Sequence, residues 1–323
     1  MKRLFIVASL AIAAIGCQKT EVQNLVTNEI GFNSEIGKLT RAVNTGTTFE
    51  NEDFAVYSYG YQGSGAHEPV MTNVQVVSNN DWTATGYYWP NSANTYLNFY
   101  AYSPAMNNGV SHTEDNGFVV TFTQNPSNPV VDFMVATPVE GATFNYQGGG
   151  NTLLKTGVPM VFNHKLTQVI FAVKSTTDGV TATLNNVTLK NVSSSATYNQ
   201  KKGSEVDVWD AHATADEDDE IDLTATVKAS EESNLIVATA PVVLIPQSLN
   251  NIKAVVNYTI TGQNIANETV SKEVDLFVAE SLEKWAPNQK VVYTFNIGLT
   301  AISFTPTVTS WAEDTEVEIP VNM

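Results

Sequence analysis

Residues 168–190 read QVIFAVKSTTDGVTATLNNVTLK. An apolar run over 168–174 leads through the pair Asp178-Gly179 into a second run over 180–190. Asp and Gly supply the backbone conformations of a tight turn, and the β-branched residues on either side suit a pleated, half-buried surface. The stretch therefore predicts two strands joined by a reversal. The same unit recurs outward in both directions. Short apolar or alternating runs occupy 54–59, 73–77, 95–102, 117–123 and 130–136, then 221–228, 234–245, 252–261, 270–278, 290–299 and 302–309. Turn residues separate them, as at Pro90-Asn91, Asn107-Asn108-Gly109 and Gly262-Gln263-Asn264. No helical pattern of about 10–15 residues intervenes to carry parallel crossovers. The expected class is all-β, built from antiparallel sandwiches.

Composition agrees. The 323 residues include 37 Thr and 32 Asn, which favour strands and turns over helices, and 43% hydrophobic residues provide for real cores. Sixteen basic against 33 acidic side chains give a net charge of −17, which excludes a nucleic-acid partner because phosphate backbones need clustered cations. The length fits about two domains. The flexible stretch Gln147-Gly148-Gly149-Gly150-Asn151, continuing to Gly157-Val158-Pro159, is the expected boundary between them.

A single cysteine allows neither an intrachain disulfide nor a Cys-based zinc site. Its position is more informative. Lys2 and Arg3 precede the apolar run Leu4 to Ile15, which ends at Gly16-Cys17. That run is too short to span a bilayer and matches the apolar region of an export signal. Ala14-Ile15-Gly16-Cys17 resembles a lipobox, with Ala14 where Leu is commonest, so residues 1–16 are expected to be removed and Cys17 acylated.

Motifs that carry chemistry are absent from the sequence. His67, His112, His164 and His212 are scattered without metal-ligand spacing, and a structural role is expected for His164. Gly148-Gly149-Gly150 lacks the Gly-Lys-Ser/Thr ending of a phosphate loop. Asp216-Glu217-Asp218-Asp219-Glu220 lacks the spacing of a calcium loop and reads as a solvated acidic segment, with a bound cation as the alternative. Tyr87-Tyr88-Trp89 reads as strand packing, with a sugar-stacking platform as the alternative. No catalysis and no cofactor are expected.

Several phrases, in order, resemble the fimbrillin family of Bacteroides-type bacteria, the subunits of type V pili. They are Gly86-Tyr87-Tyr88-Trp89-Pro90, Leu97-Asn98-Phe99-Tyr100-Ala101-Tyr102-Ser103-Pro104 and Asp132-Phe133-Met134-Val135-Ala136. Phe162-Asn163-His164-Lys165-Leu166-Thr167-Gln168-Val169, Leu244-Ile245-Pro246-Gln247, Trp285-Ala286-Pro287-Asn288-Gln289 and Ile302-Ser303-Phe304 through Trp311 complete the set. The resemblance implies two tandem transthyretin-like β-sandwich domains, export as a lipoprotein, and cleavage by an arginine-specific protease at Arg41-Ala42. The expected division is then a signal peptide at 1–16, a propeptide at 17–41, and sandwiches at 42–157 and 158–323.

Within the propeptide, Ile30, Phe32 and Ile36 alternate with polar residues, the period of a half-buried strand that cleavage would remove. Val317, Ile319 and Val321 share one face of the C-terminal segment, which the resemblance makes a donor strand for a neighbouring subunit. The alternative is that residues 315–323 are simply the last strand of the second sandwich. Expected partners are other pilus subunits, the maturation protease and a host or bacterial surface ligand, with membrane contact only through the precursor's lipid. A lipid-retaining anchor subunit and a surface glycan-binding lipoprotein are the alternative functions.

Overall fold

The computed structural model describes residues 28–36, 53–77, 82–92, 94–125, 129, 131–143, 153, 156–201, 207–213, 220–229, 236–237, 241–262, 265–299 and 302–311. These form 21 strands in four sheets, numbered along the chain. The first sheet contains Glu29–Ile36 (β1), Phe54–Gln62 (β2), Glu68–Val76 (β3), Thr83–Tyr88 (β4), Thr95–Ser103 (β5), Met134–Ala136 (β8), Val139–Thr143 (β9) and Val158–His164 (β10). Its order is β3-β2-β5-β8-β10-β1-β4, with β9 also paired to β5. A second sheet of Val110–Thr113 (β6), Gly117–Thr123 (β7), Ser195–Asn199 (β13) and Val208–Ala213 (β14) runs β14-β13-β7-β6.

The third sheet holds Thr167–Ser175 (β11), Ile236–Val237 (β16), Val242–Leu244 (β17), Gln289–Ile297 (β20) and Ile302–Ser310 (β21). The fourth runs β15-β12-β18-β19 from Val180–Lys190 (β12), Ile221–Ala229 (β15), Lys253–Gly262 (β18) and Ile265–Asp275 (β19). The segment 168–190 thus supplies one strand to each of two sheets, turning at Gly179 with φ +71°. Those two sheets enclose one core. Val169, Phe171 and Val173 of β11 meet Ala254, Val256, Tyr258 and Ile260 of β18 there, each at the alternate positions a half-buried strand requires. Trp285, fully buried in this core, donates its indole N–H to the Tyr293 hydroxyl at 3.0 Å.

The middle of the first sheet, at β5 and the first half of β2, is buried on both faces, which explains the near-continuous apolar run at 95–103. Phe54 and Val56 of β2 and Leu97, Phe99 and Ala101 of β5 point into one cluster. Ala55, Tyr57, Tyr100 and Tyr102 point into another, shared with Phe118, Val120 and Phe122 of β7 and Ala196 and Tyr198 of β13. The two terminal strands, β3 and β4, come against each other, so the sheet curls around the first of these clusters.

One detail of the expected fold is corrected. The sheets are not wholly antiparallel: β1 pairs with β10 in parallel, and β11 with β20 over Thr167↔Gln289 to Ser175↔Ile297. Parallel pairing needs a long return path, and here several intervening strands provide it in place of a helix. Separately, hydrogen bonding runs between strands on the two sides of Gly157. β10 pairs with β8 and β1 of the first sheet, and β13 pairs with β7 from Ser195↔Thr123 to Asn199↔Val119. Strands β13 and β14 are short, and β13 is largely polar, so periodicity alone does not reveal them.

An ion pair ties this junction together. Asp207, just before β14, accepts from Lys165 Nζ at 2.8 Å, from the Tyr198 hydroxyl at 2.7 Å and from the Lys201 amide at 3.0 Å. Burial pushes the Asp207 carboxyl up, but the Lys165 charge and these donors outweigh it and hold the group below the usual carboxylate range.

Two predictions follow from this arrangement. A fragment of residues 28–157, which keeps β1 but lacks β10, β13 and β14, is expected to stay unfolded by circular dichroism, whereas independent folding would support a boundary at 157. Because the folded-state pKa of Asp207 is depressed, its contribution is present above the ordinary carboxylate pKa and is lost as pH falls through the folded value. Denaturant titrations should therefore show a smaller acid-induced loss of stability in Asp207→Asn than in the parent chain.

Candidate functional site

The sequence Glu29-Ile30-Gly31-Phe32-Asn33-Ser34-Glu35-Ile36 makes β1 an interior strand. Its parallel ladder with β10 runs from Phe32↔Val158 to Ile36↔Phe162. On the other side it pairs with β4 through Ile30↔Ala84 and Gly31↔Thr83, with an irregularity between Glu29 and Ile30. The Phe32 amide donates to the Trp82 carbonyl at 2.9 Å, and the Trp89 amide donates to the Asn28 carbonyl at 2.8 Å. Glu29 Oε1 accepts from the Gly86 amide at 3.1 Å.

Alternation turns Ile30 and Phe32 into the core, where both are buried. The Phe32 ring meets Phe54 edge to face at 5.7 Å and Phe99 at 5.8 Å. Burying side chains of this size is worth roughly 1.5–3 kcal/mol each. Gly157 fixes how closely β1 can approach. It has φ +76°, and a Cβ there would lie 2.6 Å from the Phe32 carbonyl carbon and 2.8 Å from the Asn33 amide nitrogen. The residue that reads in the sequence as part of a linker is the seat of the strand.

Strand β4 has β1 as its partner in the sheet, and β10 faces β1 along its outer edge. Lifting β1 out would expose two rows of backbone groups and an aromatic-lined slot between them. The chemistry this arrangement offers is strand addition, in which ladder hydrogen bonds and alternate side chains recognise an extended segment.

Of the site residues expected from sequence, Ile30 and Phe32 come together in the slot, and Ile36 stands opposite Phe162 in the register. Cys17, Arg41, Ala42, Val317, Ile319 and Val321 lie outside the described residues, as do Asp216 to Asp219 of the acidic segment. Glu220 is described and lies 3.2 Å from Lys190 Nζ. His164 is held by its bond to Asp132 and by the Trp311 ring stacked on it at 3.9 Å. The sugar-platform alternative for Tyr87-Tyr88-Trp89 is not supported. Trp89 is buried edge-on to Phe99 at 5.8 Å, Tyr87 packs on the core, and only Tyr88 is well exposed. Sequence reasoning missed Gly157 and strand β4, whose run Thr83-Ala84-Thr85-Gly86-Tyr87-Tyr88 lacks strict alternation.

The family model described as fimbrillin-like matches residues 40–311. The chain belongs to the fimbrillin-like family. The matched segment of this fimbrillin-like chain begins after β1 and ends at Trp311. Among solved structures, a fimbrial protein from Bacteroides vulgatus is 18% identical, with a TM-score of 0.61, covering 88% of this chain and 99% of that one. A candidate cell adhesion protein from Bacteroides uniformis is also 18% identical, with a TM-score of 0.50 and the same coverages. At these identities the likeness concerns the fold. No curated protein sequence matches the chain.

Gly157→Ala should unseat β1 selectively. Adopting a left-handed conformation with a Cβ costs about 1–2 kcal/mol before any overlap with Phe32. Hydrogen exchange should accelerate at the amides of 30–36 more than in β11 or β18; a uniform change across the sheets would sink this reading.

Proposed function

We propose that the chain is a structural subunit of cell-surface fimbriae that polymerises when β1 is cut away and replaced by an extended segment of a neighbouring subunit. The observation that carries this reading is the position of β1. It completes the first sheet from inside, yet only residues 37–40 separate it from Arg41. One cut there would turn an interior strand into a separate peptide held by non-covalent contacts alone. Membership of the fimbrillin-like family and the likeness to a fimbrial fold support a subunit of such a fibre.

The replacement is proposed to be the C-terminal segment with Val317, Ile319 and Val321 on one face. Each of these side chains gains roughly 1.5–3 kcal/mol on burial, and each ladder hydrogen bond adds about 0.5–1.5 kcal/mol net. Pro320 has no N–H to give, so it belongs at the strand's end or on a side that makes no ladder bond. A contact of one subunit's tail with the next subunit's slot is heterologous, so it propagates as a filament and does not close. Export as a Cys17-acylated precursor, processing by an arginine-specific protease and adhesion through the finished fibre belong to the same proposal.

Cells expressing Arg41→Ala should retain the unprocessed precursor and lose detergent-resistant ladders on gels. Ladder formation by that variant would overturn the processing step. Truncation after Asp314 should leave folded monomer and abolish polymer, whereas an unfolded product would make the tail an intrinsic core strand. Mass spectrometry of the surface protein should find Ala42 at its start; an acylated Cys17 there would make the protein an anchor subunit.

A further inference from the structure

On the outer face of the first sheet, opposite the face that takes Phe32, lies a cleft of about 620 Å³. Tyr59 and Tyr61 of β2 and Tyr100 of β5 wall it, the β6–β7 turn contributes Glu114 and Asp115, and β9 contributes Glu140. The rings are held in place. Tyr59 meets Tyr100 edge to face at 6.0 Å, and Tyr61 carries the His67 ring stacked at 4.1 Å.

Most hydrogen-bond donors in the cleft are already committed, the Tyr61 hydroxyl being the exception among the tyrosines. Glu114 Oε1 accepts from Asn98 Nδ2 at 2.7 Å and from the Tyr100 hydroxyl at 3.1 Å, and Oε2 lies 2.6 Å from His67 Nδ1. Burial pushes the Glu114 carboxyl up, but these partners prevail and hold it ionised below the usual range. The Tyr59 hydroxyl donates to the His112 carbonyl at 2.8 Å, and Asn98 Oδ1 accepts from the Gly141 amide at 2.8 Å. Tyr100 stands 3.1 Å from Glu140 Oε1 as well as from Glu114, and its one proton cannot serve both carboxylates at once.

The remaining capacity is therefore mainly that of acceptors. Among the described residues, Asp115 and Glu140 Oε2 have no protein donor, and no Lys or Arg lines the cleft. Both side chains stand at the exposed rim, so a ligand can enter without backbone movement. A ligand rich in acceptors finds few free donors here and meets three carboxylates. A cation with several N–H groups satisfies the carboxylates and packs against tyrosine rings, which attract positive charge. We propose that this cleft binds a basic side chain, a lysine ammonium or an arginine guanidinium, presented by a partner protein.

The test uses the full chain labelled with ¹⁵N and titrated with Gly-Gly-Lys-Gly-Gly, its Nε-acetylated form, the arginine analogue, 1,4-diaminobutane and lactose. The two basic peptides are expected to shift the amides of Glu114, Asp115 and Gly141, and the acetylated peptide is expected not to. Asp115→Asn/Glu140→Gln, two changes at exposed positions, should weaken peptide binding by about tenfold or more while the remaining spectrum stays in place. Equal binding of the acetylated peptide, an unaltered affinity in the double variant, or no shift with either basic peptide would overturn the assignment. Shifts produced by lactose in place of the peptides would reassign the cleft to a neutral glycan. Binding of the diamine without the peptides would reassign it to free amines.

Discussion

An interior strand satisfies the backbone of two neighbours at once, and β1 does so for β4 and β10. Buried N–H and C=O groups left without partners cost far more than a hydrogen bond contributes, so the sheet is whole only while something extended fills that position. Ile30 and Phe32 make the occupant also a piece of the core, between rings on β2 and β5. The first sheet therefore depends on a strand that lies outside the segment matched to the family and a few residues before Arg41. Filling the position is required by sheet physics.

The two faces of the same sheet carry different chemistry. The inner face is apolar and closes on β1. The outer face, next to the β6–β7 turn, gathers tyrosines and carboxylates into an open cleft. The cleft and the slot share strands β2 and β5 but no lining side chain, so a partner can occupy one without displacing the other. An acidic surface keeps filament subunits apart unless a specific contact joins them, and the residues from Ala42 onward carry 11 basic against 30 acidic groups.

Much of the fold is legible from residues alone. The runs at 95–102, 168–174, 180–190, 252–261 and 290–299 correspond to strands within a few residues, because each alternates or is continuously apolar between turn residues. The phase of Ile30 and Phe32 also predicts a strand with those side chains inward. Strands β13 and β14 escape that reading, since Ser195-Ala196-Thr197-Tyr198-Asn199 has a single large apolar side chain and gains its place only by pairing with β7. Gly157 escapes it for a different reason: its value lies in what is absent at Cβ when Phe32 passes close by, and one sequence does not contain that distance.

The sequence by itself determined the all-β class, the near-continuous apolar strands and the phase of the N-terminal strand. Periodicity and turn chemistry are local properties that neighbouring residues settle between themselves. Only the tertiary structure decided that β10 joins the first sheet, that β13 crosses to β7, that two ladders are parallel, and that Tyr59, Tyr100, Glu114 and Glu140 share one cleft. Those are pairings between segments tens of residues apart, chosen by competition among many sheet edges with the same local pattern, and no single stretch of chain carries the answer.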